Sequence, residues 1–173
     1  MDIIQDAGVK QWVCVPSIMH SGTRFVCEEV LKGYRHHPFL HPQRPKGYFR
    51  QHTTELPMTD IEPWMNKYPS IVPMRHPARI AKSFMDREHV GQIDYLKQWR
   101  TMIALSQRYQ LTYFHVDLPD ISPYLMRAEI LLGHAVSPDR SRVIGEHGNA
   151  ACDLEIGSAW VTDWIMDFYY STL

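Results

Sequence analysis

Residues 11–34, QWVCVPSIMHSGTRFVCEEVLKGY, constrain the fold more than any other part of the chain. WVCV at 12–15 is a short apolar run rich in β-branched residues, which predicts a buried strand. PSIMHSGT follows as a turn-forming segment whose one glycine is Gly22. From Thr23 the apolar period changes, and Phe25, Val26, Val30 and Leu31 share one face of a helix that stops at Gly33. Between such a strand and helix, loop amides and first-turn N–H groups lack backbone partners and point at whatever anion sits there. Ser21, Thr23 and Arg24 add hydroxyl and guanidinium donors to the same spot. The segment is not a Walker A loop, because Thr23 and Arg24, not lysine, follow Gly22. Taken alone it supports either an anion cradle or a plain strand–helix connection.

Composition bears on what such a cradle can serve. The formal net charge of -1 gives no global pull toward nucleic acid or an anionic membrane, so any basic site must be local. With 45% apolar residues the 173-residue chain is expected to form a single domain, 1–173, around a real core. Cys14, Cys27 and Cys152 are odd in number and lack CxxC spacing, which predicts free thiols in a reducing compartment. MDIIQDAGVKQW is neither basic nor apolar enough for a signal peptide, and no run approaches a membrane span. The expectation is a soluble, cytoplasmic protein with no nucleic-acid or membrane partner.

Residues 35–46, RHHPFLHPQRPK, predict an ordered basic loop, since Pro38, Pro42 and Pro45 forbid a regular helix. His36, His37 and His41 have no cysteine or carboxylate within the loop to complete a ligand set, so cleft lining is favoured over metal. Residues 47–53 predict a second strand. Thr59 or Asp60 then caps a short helix carrying Ile61, Trp64, Met65 and Tyr68. Residues 70–74 predict a third strand, with Pro73 placed where pairing has ended. Arg75 follows, and Pro77 opens a helix with Ile80, Ala81, Phe84 and Met85 on its apolar face. The longest periodic segment, 93–110, steps through Ile93, Leu96, Trp99 or Arg100, Ile103 and Ser106 or Gln107. Residues 111–116 predict a fourth strand, Ser122 with Pro123 a helix start closed by Gly133, and 135–157 a long loop. Ser158 is expected to cap a last helix whose Trp160, Trp164, Ile165 and Phe168 pack as core.

Strands alternating with helices predict an α/β fold of βαβ units with a mainly parallel sheet. Ligands of open sheets bind beyond the carboxyl ends of the strands. The loop after the first strand, His52 after the second and Arg75 after the third all fall on that edge.

Over about residues 11–138 the chain resembles the sulfotransferases that use 3′-phosphoadenosine 5′-phosphosulfate (PAPS). The family's PKSGTTW-like loop, which binds the 5′-phosphosulfate, corresponds to MHSGTRF at 19–25. Its RxPxDxxxS signature for the 3′-phosphate corresponds to RHPARIAKS, with Arg75 and Ser83 at the matching ends. The KTHLP-like strand end corresponds to RQHTTELP, placing Arg50 and His52 where the family has a lysine and the catalytic histidine. YFHVDLPD resembles the strand ending in YED, and Trp99 falls at a frequent helix tryptophan. The departures are specific. His20 stands in place of the lysine that contacts the moving group, Arg24 in place of the second threonine, and Arg79 in place of the signature aspartate. The C-terminal RKGxxGxWK segment has only a loose echo in SRVIGEHGN at 141–149, and the chain is shorter than the cytosolic enzymes.

The resemblance implies a three-layer P-loop-type α/β fold and a sulfotransferase acting on a small-molecule, carbohydrate or peptide acceptor. PAPS would be co-substrate and adenosine 3′,5′-bisphosphate (PAP) the product, with no metal required. His52 would be general base, with Arg50 and His20 beside the transferring group. Ser21, Gly22, Thr23 and Arg24 would bind the phosphosulfate, Phe25 would stack on adenine, and Arg75 and Ser83 would clamp the 3′-phosphate. Two other classes stay open: a non-catalytic nucleotide-binding module, and a P-loop kinase, for which neither a Walker lysine nor Mg²⁺ ligands are evident.

Overall fold

The computed structural model describes residues 11–36, 46–87, 91–139 and 150–173. Strand β1 (Gln11–Ser17) leads through residues 18–22 into one turn of helix α1 (Thr23–Phe25), which continues as a π-helical stretch, Val26–Val30. Leu31 N–H reaches Val26 O at 2.8 Å, the wider spacing that distinguishes this segment from the expected α-helix. Its apolar face is as expected, with Phe25, Val26, Val30 and Leu31 all buried.

Strand β2 (Arg35–His36) is a two-residue strand at the start of the segment expected to be loop. His37, His41 and the three prolines lie outside the described residues. Then come β3 (Lys46–His52), α2 (Glu62–Met65), β4 (Ile71–Met74), α3 (Pro77–Met85), α4 (Gln92–Arg108), β5 (Thr112–His115) and α5 (Ser122–Leu132). Helices α6 (Ala150–Gly157) and α7 (Asp163–Ser171) close the chain.

β1 pairs in parallel with β3, β3 with β2, and β4 with β5. A parallel bridge between Cys14 and Ser70 joins the two sheets, giving the order β2–β3–β1–β4–β5. Alternation along β1 sends Val13 and Val15 to one face, against α5 and the π-helical stretch, and Trp12 and Cys14 to the other, against α2 and α4. Val72 and Met74 continue that second face beneath α3, α4 and α7. The result is an α/β arrangement of small parallel sheets with helices on both faces.

Pro73 sits inside β4, paired in register with Phe114. The carbonyls of Ser70 and Met74 point at β5, so the nitrogen of Pro73 faces β1, beyond the bridge at Cys14. A proline is tolerated in the strand because no partner N–H is needed on that side.

Four local expectations change. The position before α2 is Ile61, without a side-chain cap; instead the Met58 N–H donates to Glu62 Oε2 at 2.7 Å. On α4 the buried residues are Tyr95, Gln98, Trp99, Thr101, Met102 and Leu105, whereas Ile93 is 82% exposed. Residues 150–157 of the expected loop are helix α6, where a Cβ on Gly157 would collide with the Ala78 carbonyl of α3. Ser158 opens a short 3₁₀ turn, Ser158–Trp160, and α7 begins only after Thr162. The segment 141–149 lies outside the described residues.

Cys14 and Cys27 are buried free thiols, and burial pushes them up to about 12 and about 11. No helix among the described residues is long and apolar enough to cross a membrane.

Candidate functional site

The carboxyl edge of the sheet carries one cavity of about 450 Å³. The loop after β1 contributes Met19, His20, Gly22, Thr23 and Arg24, with Phe25, Glu28 and Glu29 just beyond. Arg50 and His52 reach it from the end of β3, Arg75 from the end of β4 and Val116 from the end of β5. Its volume is in the range of small-ligand sites.

The loop is shaped by backbone demands. His20 has φ 65 and Gly22 φ 96, two left-handed residues within three positions. A Cβ on Gly22 would lie 2.5 Å from Val116 Cγ2, so that position is closed to side chains on both counts. Buried Gln98 of α4 anchors the assembly twice, accepting from the Met19 N–H at 2.8 Å and, through its carbonyl, from the Thr53 hydroxyl at 3.0 Å. One helix residue therefore holds both the loop and the end of β3.

Ser21 and Thr23 are buried, and their hydroxyl oxygens have no hydrogen-bond partner among the described residues. Such orphaned groups cost roughly 1–3 kcal/mol each unless something fills the site. Thr23 faces the cavity; Ser21 is not on its wall. His20 lines it with its ring edge-on to Phe84, 5.5 Å between centroids. Arg24 donates from Nε to Glu28 Oε1 at 2.9 Å, so one of its donors is committed to a neighbouring carboxylate. Glu29 accepts from the Asp139 N–H at 3.0 Å. Phe25 is 7% exposed and packs toward Phe114, which makes it mainly a core residue whose edge reaches the cavity.

Arg50 and His52 come to the same cavity, as strand alternation requires. Register places His52 beside Ser17 of β1, and His52 Nδ1 lies 3.0 Å from Ser17 Oγ. With Nδ1–H donating to Ser17, Nε2 holds the lone pair a base needs. Burial holds the His52 imidazole below its ordinary range; the Ser17 backbone opposes this, and the Arg50 guanidinium reinforces it.

Arg75 is 5% exposed, its Nε 4.0 Å from Asp117 Oδ2. Arg79, standing where the resembled signature has an aspartate, reaches the same oxygen from Nη1 at 3.1 Å. Ser83 is half-buried on α3 and is not among the residues lining the cavity. Arg87, just past the end of α3, is. Arg50 and Arg87 form no ion pair among the described residues.

Eight of the ten expected site residues thus meet at one cavity, while Ser21 and Ser83 stand back from it. Ser17, Arg87 and Asp117 were not singled out as site residues from the sequence, although Asp117 lies in the quoted YFHVDLPD run. The spacing of Arg87 four residues after Ser83 was the available hint, because that interval returns to the same helix face. Among the described residues no group of three His, Cys, Asp or Glu side chains is placed to hold a metal. Comparisons of the chain with protein-family models, curated proteins and solved structures return no match.

Proposed function

We propose that this chain binds PAPS and transfers its sulfuryl group to a hydroxyl or amine acceptor, on a P-loop-type α/β fold. The observation that carries the reading is the convergence of the β1 loop, Arg50, His52 and Arg75 on one cavity. The unmatched hydroxyl of Thr23 on the cavity wall fits a phosphate group held at the loop. Arg75 supplies a guanidinium for the 3′-phosphate, each charge-assisted bond contributing about 1.5–3 kcal/mol.

The bound co-substrate supplies the electrophilic sulfur and a nucleotide leaving group. The chain's residues orient it and move one proton. His52 Nε2 takes the proton of the acceptor hydroxyl as its oxygen bonds to sulfur and the bridging S–O bond breaks, leaving PAP. Arg50, on the same strand face, stabilises charge on the leaving phosphate. His20, held against Phe84, supplies less positive charge than a lysine, and Arg50 makes up the difference.

Calorimetric titration tests the reading. PAP is expected to bind, and ATP with Mg²⁺ is not. Binding of ATP with Mg²⁺ but not PAP would replace the sulfotransferase reading with the kinase one. PAP binding without turnover of any acceptor would leave a nucleotide-binding module.

A further inference from the structure

Ser17 is the last residue of β1 and is fully buried. Parallel register sets it beside His52, the last residue of β3. Its Oγ lies 3.0 Å from His52 Nδ1, and among the described residues its hydroxyl has no other hydrogen bond. His52 lines the cavity and Ser17 does not. The ring therefore turns Nδ1 toward β1 and leaves Nε2 for the cavity. The backbone on either side of this contact is pinned. The Ser17 carbonyl accepts from the Thr53 N–H at 2.9 Å, and the Thr53 hydroxyl donates to the Gln98 carbonyl of α4 at 3.0 Å.

A serine hydroxyl both donates and accepts, so the contact alone fits either neutral tautomer of the imidazole. The surroundings choose between them. The Ser17 carbonyl, an acceptor only, favours a proton on the ring, and the Arg50 guanidinium, a donor only, disfavours one. Arg50 stands on the cavity wall, away from the buried Ser17 side. Acceptors thus gather toward Nδ1, and the cation stands on the side of Nε2.

We propose that Ser17 is a positioning residue that fixes His52 in the Nδ1–H tautomer, with the Nε2 lone pair directed at the acceptor. This rests on the reading of His52 as general base. A histidine with only water around it favours the opposite tautomer, Nε2–H, which leaves the cavity-facing nitrogen no lone pair to offer. Such a ring must exchange its proton before it can act. Ser17 removes that step without touching the acceptor or the nucleotide, as a second group does for the imidazole of a catalytic triad.

Two measurements on the native protein and on Ser17→Ala test this. That substitution removes one oxygen and adds no bulk, so the fold is not at risk. ¹⁵N-resolved imidazole spectra at about pH 7.5 keep the ring neutral, and His52 is assigned by its loss in His52→Asn. The native ring is expected to carry its proton on Nδ1, and the Ser17→Ala ring to move toward Nε2–H. Turnover in Ser17→Ala is expected to fall about three- to tenfold, the rate equivalent of one net hydrogen bond, with PAP affinity unchanged. A native ring protonated on Nε2 would overturn the proposal. So would a Ser17→Ala ring that keeps Nδ1–H, or a loss of PAP affinity in step with turnover. A native protein that does not bind PAP refutes the functional reading instead, and the spectra still decide what Ser17 does to the ring.

Discussion

On the β1–β3 wall of the cavity, Thr23 buries a hydroxyl with no partner among the described residues, and Arg50 forms no ion pair among them. On the β4–β5 wall, Arg75 and Arg79 share the carboxylate of Asp117, which the His76 amide also holds. The first wall offers donors that a ligand satisfies at no internal cost. The second is already charge-compensated, so a ligand there gains only what the geometry of Arg75 leaves over. On the proposed reading, affinity for the shared 5′ end and the chemistry would belong to the first wall, and discrimination between ligands, through Arg75, to the second.

Breaking the first wall at its chemical group has the largest expected effect. His52→Ala should lower turnover about 10²–10⁴-fold, the usual contribution of a positioned base, and leave PAP affinity near native. Native turnover in that variant would end the proposed mechanism. The pH profile sharpens the same point. A base must be neutral, so activity falls as pH drops through its pKa. Burial lowers that value in the free protein, while bound phosphates raise it. The acid limb of kcat/KM should therefore lie at lower pH than the acid limb of kcat, and coincident limbs would remove His52 as the titrating group.

The second wall is broken by Arg75→Ala, with PAP binding weakened about ten- to a hundredfold and adenosine 5′-monophosphate nearly unaffected. Arg87→Ala, at the exposed rim, should cost less, and Ser83→Ala least, because Ser83 does not line the cavity. A Ser83→Ala loss equal to that of Arg75→Ala would mean that the ligand reaches α3 beyond the cavity seen here.

The smallest effect concerns stability, and both walls share it. His52, His76 and His115 are each held below the ordinary histidine range, with burial the largest cause. Below about pH 6.5 the unfolded chain binds protons at these sites that the folded chain refuses, so stability falls as pH falls through that range. The urea midpoint at pH 5.5 should be lower than at pH 7.5. A midpoint that rose on acidification would show that these imidazoles charge in the folded state.

By itself the sequence determined the first wall well and the second poorly. The strand, the Gly22 turn, the change of period at Thr23 and the alternation of Arg50 with His52 are relations among near neighbours, which backbone geometry alone enforces. Pro77 at the start of α3 and Gly133 at the end of α5 were legible for the same reason. Tertiary structure decided which candidates reach the cavity. Helical spacing placed Ile93 on an apolar stripe with Trp99, but α4 turns so that Trp99 packs against Phe84 and Ile165 together with Tyr95, while Ile93 is exposed. Arg75 and Arg79 look like freely available cations in the sequence. Their partner Asp117 lies 38 positions beyond Arg79, brought alongside by the parallel pairing of β4 with β5. Periodicity shows that a residue shares a face with others; only the packed sheet shows what that face meets.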